Sequence, residues 1–229
     1  YLNEENNYSN YWFKKNKVNS KSIFQQYKQA LPDFEEGLKT KIDNFQYFST
    51  STLSKEYRKY FRVFKGEKKL ILDVNKLAKN KKFYEISAIY PSRNHRYIAY
   101  GEDTSGRREF SIVIKDIKKN KNFEKNICSS TGNIIWNNDS DGYFYLKKDS
   151  KTLITNSLYF HKLGENPNKD KLIYKENDKE FNLGISLSRT KKFLFLQISK
   201  TESNEIRYLN LEDENINLKC FHKRRSKHL

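Results

Sequence analysis

Residues 73–117 read DVNKLAKNKKFYEISAIYPSRNHRYIAYGEDTSGRREFSIVIKDI, and the order of runs and breaks within them decides the fold. EISAIY (85–90) and RYIAY (96–100) are short β-type runs rich in Ile and Tyr, separated by the polar turn PSRNH (91–95). A loop holding DTSGRR (103–108) leads to a third run, FSIVIKDI (110–117). Strand, turn, strand, hairpin, strand describes antiparallel β structure.

The same order recurs downstream. GYFYL (142–146) follows NNDSD, and KFLFL (192–196) follows SRTK. Taking Tyr97, Tyr143 and Phe193 as equivalent gives spacings of 46 and 50. The second runs, NSLYFHKL (156–163) and NEIRYLNL (204–211), place Leu163 and Leu211 at 46 and 48 beyond Ile117 and Leu163. A third run closes each unit, with LIY at 172–174 and LKCF at 218–221. NIIWNN and LGISLS precede the later turns as EISAIY precedes the first. Four short strands at this period are the signature of a β-propeller blade. YRKYFRVF and KKLILDVN form an incomplete earlier unit. The fold class expected is mainly β, a partial propeller of three to four four-stranded blades preceded by a helical segment. Blades are expected at about 44–80, 83–128, 133–178 and 181–224, within a propeller part spanning 44–229. An open arc of blades leaves unpaired edges, through which the chain is expected to associate.

Residues 1–43 read as the helical segment. Tyr8, Tyr11 and Trp12, then Ile23, Phe24, Tyr27 and Leu31, fall at steps of three and four. Trp12 and Phe24 are expected to pack. Pro32 and Asp33 mark a break, and Pro suits the start of a short helix through Glu35, Glu36 and Leu38.

Aromatics make up 15% of the 229 residues, which argues for a packed β structure despite a mean hydropathy of −0.96. No apolar run is long enough for a bilayer-spanning helix and no signal-peptide pattern opens the chain, so no membrane role is expected. Cys128 and Cys220 lack metal-site spacing and read as reduced thiols on strands. No metal or cofactor is expected. The chain contains no Met, so a trimmed or incomplete reading frame is expected. The net charge of +17 has two readings. Clustered Lys and Arg would serve a nucleic-acid partner. Here the lysines are spread along the chain in company with abundant Asn and Ile, which makes nucleic acid the less favoured partner.

Several segments together resemble the prolyl oligopeptidase family of serine peptidases, in its oligopeptidase B branch. They are YLNEENNY (1–8), LILDVNKLA (70–78), PSRNHRYIAY (91–100), WNNDSDGYFY (136–145), HKLG (161–164), DKLIYKENDKEF (170–181) and SNEIRYLNL (203–211). The resemblance implies a seven-bladed-type propeller and a cytoplasmic peptidase that cuts short peptides after Lys or Arg. It also implies that Ser, Asp and His of the triad lie in a C-terminal α/β-hydrolase domain outside this sequence. In that setting the propeller restricts access to the active site. The alternative is a stand-alone propeller-type binding module, with nucleic acid as its candidate ligand.

No Gly-x-Ser-x-Gly nucleophile elbow is present. Ser105 belongs to a hairpin loop, and His95, His161, His222 and His228 are not spaced for zinc. No catalytic residue is therefore expected in this chain, which should be inactive alone. In a four-stranded blade, the loop between strands two and three shares a rim with the link to the next blade. That places DTSGRR (103–108) and SSTGN (129–133) on one rim. By the resemblance, Ser130, Thr131, Gly132 and Asn133 border the substrate chamber, although the aromatic residue of some prolyl-specific relatives is missing there. Arg107 and Arg108 share the rim, either paired with carboxylates of the hydrolase domain or simply solvated.

Overall fold

The computed structural model describes residues 1–17, 19–213 and 215–225, the side chain of Asn126 excepted. His228 lies outside the described residues. The chain forms two compact units, Tyr1–Asn75 and Lys76–Leu229.

The first unit opens with α1 (Leu2–Lys15) and α2 (Ser20–Ala30). Glu4 and Glu5 in the first turn of α1, and Lys14 and Lys15 in its last, match the helix dipole. α2 starts where the Asn19 side chain accepts a hydrogen bond from the Ser22 amide. It stops at Leu31, which is extended because Pro32 disfavours a helical residue before it. Neither helix buries a residue. Trp12 and Phe24, expected to pack, are 46% and 64% exposed.

The short helix expected through Glu35, Glu36 and Leu38 does not form. Phe34–Glu36 is strand β1 and Thr40–Ile42 is strand β2, both antiparallel to β3 (Phe45–Thr52). Glu35 lies opposite Ser51, and its Oε2 accepts from Ser51 Oγ at 3.1 Å and Arg58 Nη2 at 3.0 Å. A single isolated helical turn is poorly stable, whereas the edge of β3 provides a ready ladder. β4 (Lys59–Phe64) and β5 (Glu67–Asp73) complete this sheet. Lys65 and Gly66 join them with φ of 48° and 81°, the doubly positive pattern of a twist-matched two-residue hairpin. Helix α3 (Val74–Ala78) follows β5.

In the second unit the strands are β6 (Glu85–Ile86), β7 (Tyr90–Pro91), β8 (Tyr97–Asp103), β9 (Phe110–Asp116), β10 (Lys121–Trp136), β11 (Gly142–Lys148), β12 (Thr155–Lys162) and β13 (Lys171–Lys175). All eight belong to one hydrogen-bonded sheet. The break expected at 129–132 is bridged by β10, whose first part pairs with β9 and whose last part pairs with β11. Ser130 is opposite both Phe110 and Lys147. β14 (Asn182–Leu187), β15 (Phe193–Lys200), β16 (Ser203–Asn210) and β17 (Lys219–His222) form a separate antiparallel sheet. The two free thiols, Cys128 on β10 and Cys220 on β17, are exposed.

Backbone bonds give the repeat its register. Ser92 Oγ accepts from the Tyr97 amide, Asn137 Oδ1 from Gly142 and Ser188 Oγ from Phe193. The amides of Ile117, Leu163 and Leu211 donate to Arg96, Asp141 and Lys192. Gly142, and not Tyr143, is thus equivalent to Tyr97 and Phe193. In a strand a slip of one residue reverses the face. The rings of Tyr97 and Tyr143 nevertheless share one core, because Tyr97 faces it from β8 and Tyr143 from β11. Ala99, Ile112, Ile114, Ile127, Ile134, Trp136 and Tyr145 complete that core. A second core joins the eight-stranded sheet to the last one, with Phe144, Leu146 and Leu158 against Leu183, Leu194, Leu196, Ile198 and Leu209. Fully burying one such Leu contributes about 1.5–3 kcal/mol.

Candidate functional site

The β8–β9 loop is organised by Asp103, which is 1% exposed. Its Oδ1 accepts from the Ser105 amide and hydroxyl, both at 2.7 Å, and from the Gly106 amide at 3.2 Å. Its Oδ2 accepts from the Arg108 amide at 2.7 Å. Burial alone would raise the Asp103 pKa, but these donors outweigh it and hold the carboxyl below the usual range. The loop therefore carries its own fixed anion, and Arg108 is locked at φ 57°. The Arg108 carbonyl accepts from Lys148 Nζ at 2.5 Å, which ties the loop to the end of β11. Arg107 projects outward at 61% exposure, with Nε 3.8 Å from Glu109 Oε2.

The stretch 129–133 is a bulged passage of β10. Ser129 and Gly132 have φ of 56° and 77°. The fully buried Ser130 donates its hydroxyl to the Phe110 carbonyl at 2.8 Å and accepts from the Gly132 amide at 3.1 Å. Ser87 Oγ donates to the Gly132 carbonyl at 2.9 Å and accepts from the Gly101 amide at 2.7 Å. A Cβ on Gly101 would lie 2.6 Å from Gly132 Cα, so the two backbones touch and both positions require glycine. Asn133 Oδ1 accepts from the Tyr90 hydroxyl at 2.8 Å, and Trp136 Nε1 donates to the Tyr90 carbonyl at 3.0 Å. Thr131 Oγ1 accepts from the Asn133 amide at 3.4 Å.

The fold thus brings Ser130, Gly132 and Asn133 together around Ser87, Tyr90 and Gly101. Among the described residues, no hydrogen bond or ion pair joins the Arg107 or Arg108 guanidinium to residues 130–133. Ser87, Gly101 and Lys148 were not expected at this site. Gly101, a glycine inside a strand, carried the usual signal of close backbone approach; Ser87 and Lys148 carried none. Ser105 donates its hydroxyl to Asp103 of its own loop and Ser130 to the Phe110 carbonyl on β9, and among the described residues no imidazole is hydrogen-bonded to either as a base. Among the described residues, no group of three His, Cys, Asp or Glu is arranged to hold a metal ion. No helix among them is long and apolar enough to cross a membrane.

A second polar cluster was not foreseen. His161 on β12 is fully buried between two carboxylates. Its Nδ1 is 2.6 Å from Asp170 Oδ1, and its Nε2 is 2.7 Å from Glu124 Oε1. The Nε2 contact is charge pairing without a well-aligned hydrogen bond. Burial pushes the His161 pKa down, but the two carboxylates outweigh it and raise it above 6.5. Glu124 moves the opposite way, burial being outweighed by His161 and the Gly164 amide.

With this geometry in view, the family is clear. Residues 1–228 match the family described as "Prolyl oligopeptidase, N-terminal beta-propeller domain", and the chain belongs to that family. Its antiparallel sheets and leading helices are those of a partial β-propeller domain. Within the family the likeness is to oligopeptidase B. The chain is 26% identical over 222 residues to Protease 2 of Moraxella lacunata, covering 93% of this chain and 32% of that protein. It is 34% identical over 144 residues to dipeptidyl aminopeptidase BI of Pseudoxanthomonas mexicana, covering 63% of this chain and 20% of that one. The structure of oligopeptidase B from Leishmania major superposes with a TM-score of 0.85 at 23% identity, over 90% of this chain and 30% of the other. The chain therefore spans between a fifth and a third of the length of these relatives.

Proposed function

We propose that this chain is the non-catalytic, N-terminal propeller portion of an oligopeptidase B-like serine peptidase. Its hydrolase domain holds the catalytic triad, and the propeller admits only short peptides, cut after Lys or Arg. The observation that carries this reading is the family match along 1–228 to relatives of which the chain covers only a part. The four blades are 44–80, 83–128, 133–178 and 181–224, with residues 34–42 adding to the first. A cytoplasmic location goes with this assignment.

The exposed apolar surfaces support it. On the last sheet, Phe221 is 70% exposed and packs edge-on against Phe195 and Tyr208, on the face away from the buried leucines. A following blade would cover such a face. The aromatic residues of α1 and α2 likewise suit a covering domain. The rim formed by 103–108 and 129–133 faces the hydrolase domain. Asp103 and Lys148 hold the backbone of 103–108, while the exposed Arg107 side chain, only loosely paired with Glu109, can exchange that partner for a carboxylate across the gap.

Nucleic-acid binding by a stand-alone module is disfavoured by how the cations are used. Lys68 stands over Phe48 and Phe61, Arg96 over Tyr97 and Arg224 over Phe181, so these charges serve the protein's own rings.

The test is R107E/R108E in the full-length peptidase, assayed on short basic peptides at low and high salt. The double reversal should lower kcat/KM and alter its salt dependence. Unchanged activity with unchanged salt dependence would refute the rim's role.

A further inference from the structure

The buried His161 cluster joins parts of the eight-stranded sheet that the strand ladder alone leaves apart. Glu124 lies on the part of β10 that pairs with β9. His161 lies on β12, two strands further on, and Asp170 immediately precedes β13. Each carboxylate has a fixed donor apart from the histidine. Asp170 Oδ2 accepts from the Tyr145 hydroxyl at 2.8 Å. Glu124 Oε2 accepts from the Gly164 amide at 2.8 Å, and its Oε1 faces the Tyr143 hydroxyl at 3.3 Å.

The protonation state follows from counting donors. A neutral imidazole has one N–H and one lone pair. With a carboxylate oxygen within 2.7 Å of each ring nitrogen, a neutral ring would turn its lone pair on an anion. Both carboxylates already accept from neutral donors, which suits them as anions. The arrangement suits an imidazolium, hydrogen-bonded to Asp170 through Nδ1 and charge-paired with Glu124 at Nε2, with a cluster charge of minus one. The titratable groups packed on the ring are Glu124 from β10, Tyr143 and Tyr145 from β11, and Asp170 from the segment before β13. The Tyr143 ring centre is 5.2 Å from that of His161. Tyr159 of β12 stacks on Tyr145 from outside.

We propose that His161 is a pH-sensitive clasp, whose doubly protonated ring fastens β10 to the β12–β13 connection and whose deprotonation releases it. Loss of the proton leaves two buried carboxylates facing one another across a neutral ring. Glu124 then relaxes toward solvent, and the Gly164 turn loses its acceptor. Glu124 is six residues before Ser130 on the same strand, so the freed segment leads directly into the bulged rim.

The sign is fixed by the direction of each shift. The folded-state pKa of His161 is raised, so its contribution is fully present below 6.5 and is lost as pH rises through the higher folded value. Glu124 is lowered, so its contribution is present above 4.5 and lost as pH falls through the lower folded value. The clasp is closed between these limits.

The experiment is a side-chain ¹⁵N NMR titration of this chain from pH about 5 to about 10, with H161Q assigning the signal, beside amide exchange at Gly164. Both ring nitrogens of His161 should be protonated at neutral pH, and Gly164 protection, corrected for intrinsic exchange, should fall with the same midpoint as the ring. E124Q should lower that midpoint by about one unit or more, a tenfold change in proton affinity. A neutral His161 at pH about 7, or Gly164 protection indifferent to the ring's titration, would overturn the proposal. So would a folded E124Q chain with an unchanged midpoint. If E124Q does not fold, the titration of the unmodified chain decides alone.

Discussion

Replacing Gly132 by alanine tests whether the rim is built on backbone contact. Gly132 sits at φ 77°, and its added Cβ would lie 2.9 Å from both Phe110 Cγ and Ser87 Cβ. Neither neighbour yields easily, since one is a ring carbon and the other is anchored next to the backbone. The left-handed conformation costs an alanine about 1–2 kcal/mol, and forcing a methyl group into close-packed surroundings costs about 1–3 kcal/mol. The smaller entropy of the unfolded alanine chain returns about 0.4–1 kcal/mol. The net loss should be about 1–4.5 kcal/mol, or about 2–18 °C in Tm for a protein of this size. Gly164→Ala is the matched control. Gly164 has φ 81°, lies in the same unit and has no atom within 4 Å of the added Cβ. It should lose about 1.5 kcal/mol or less, and about 1–3 kcal/mol less than Gly132→Ala, because it meets the conformational cost without the collision. Thermal melts of both variants by circular dichroism make the comparison. If the two melt together, the packing of Gly132 against Phe110 and Ser87 is looser than described and the rim is not built on it.

Two further outcomes follow from the buried charges. Burial would raise the pKa values of Glu102, Asp103, Asp116 and Glu176, but donors such as Lys125, Ser105, the Lys119 amide and the Asp178 amide outweigh it and hold each one low. Their stabilisation is present above the unfolded values near about 4 and is lost as pH falls through the lower folded ones. Tm should thus drop steeply below pH about 4, and a flat acid limb would contradict these pairings. Arg224 lies 2.6 Å from Glu176 Oε2 and 3.2 Å from Glu205 Oε2, with its guanidinium 3.9 Å from the Phe181 ring centre. R224L should cost about 2–3 kcal/mol, less than a fully buried pair because the side chain is about a third exposed. Adding E176Q should recover part of that loss in urea unfolding. A cost below about 0.5 kcal/mol for R224L would show that the pairing is solvated.

Alternation along the chain was enough to find β8, β9, β11, β12, β15 and β16, because a strand's two faces are written at a period of two. The polar turns and recurring spacings then ordered them as blades, and ordered segments from 1–8 to 203–211 carried the family. The strands at 34–36 and 40–42 were not legible, since three residues show no period and their partner lies beyond a turn. The one-residue offset at Tyr143 was hidden because two adjacent aromatic positions satisfy the same pattern, and only hydrogen bonds from 137 to 142 choose between them. At the candidate site, the loop DTSGRR and the run SSTGN were visible as polar breaks. The dependence of SSTGN on Ser87 and on the touching backbones of Gly101 and Gly132 was not, nor was the continuity of β10 through it. Glu124, His161 and Asp170 are each ordinary residues where they stand in the sequence. Local preference acts between near neighbours and can be read along the chain, whereas buried charge is tolerated only where distant segments pack closely enough to supply its partners.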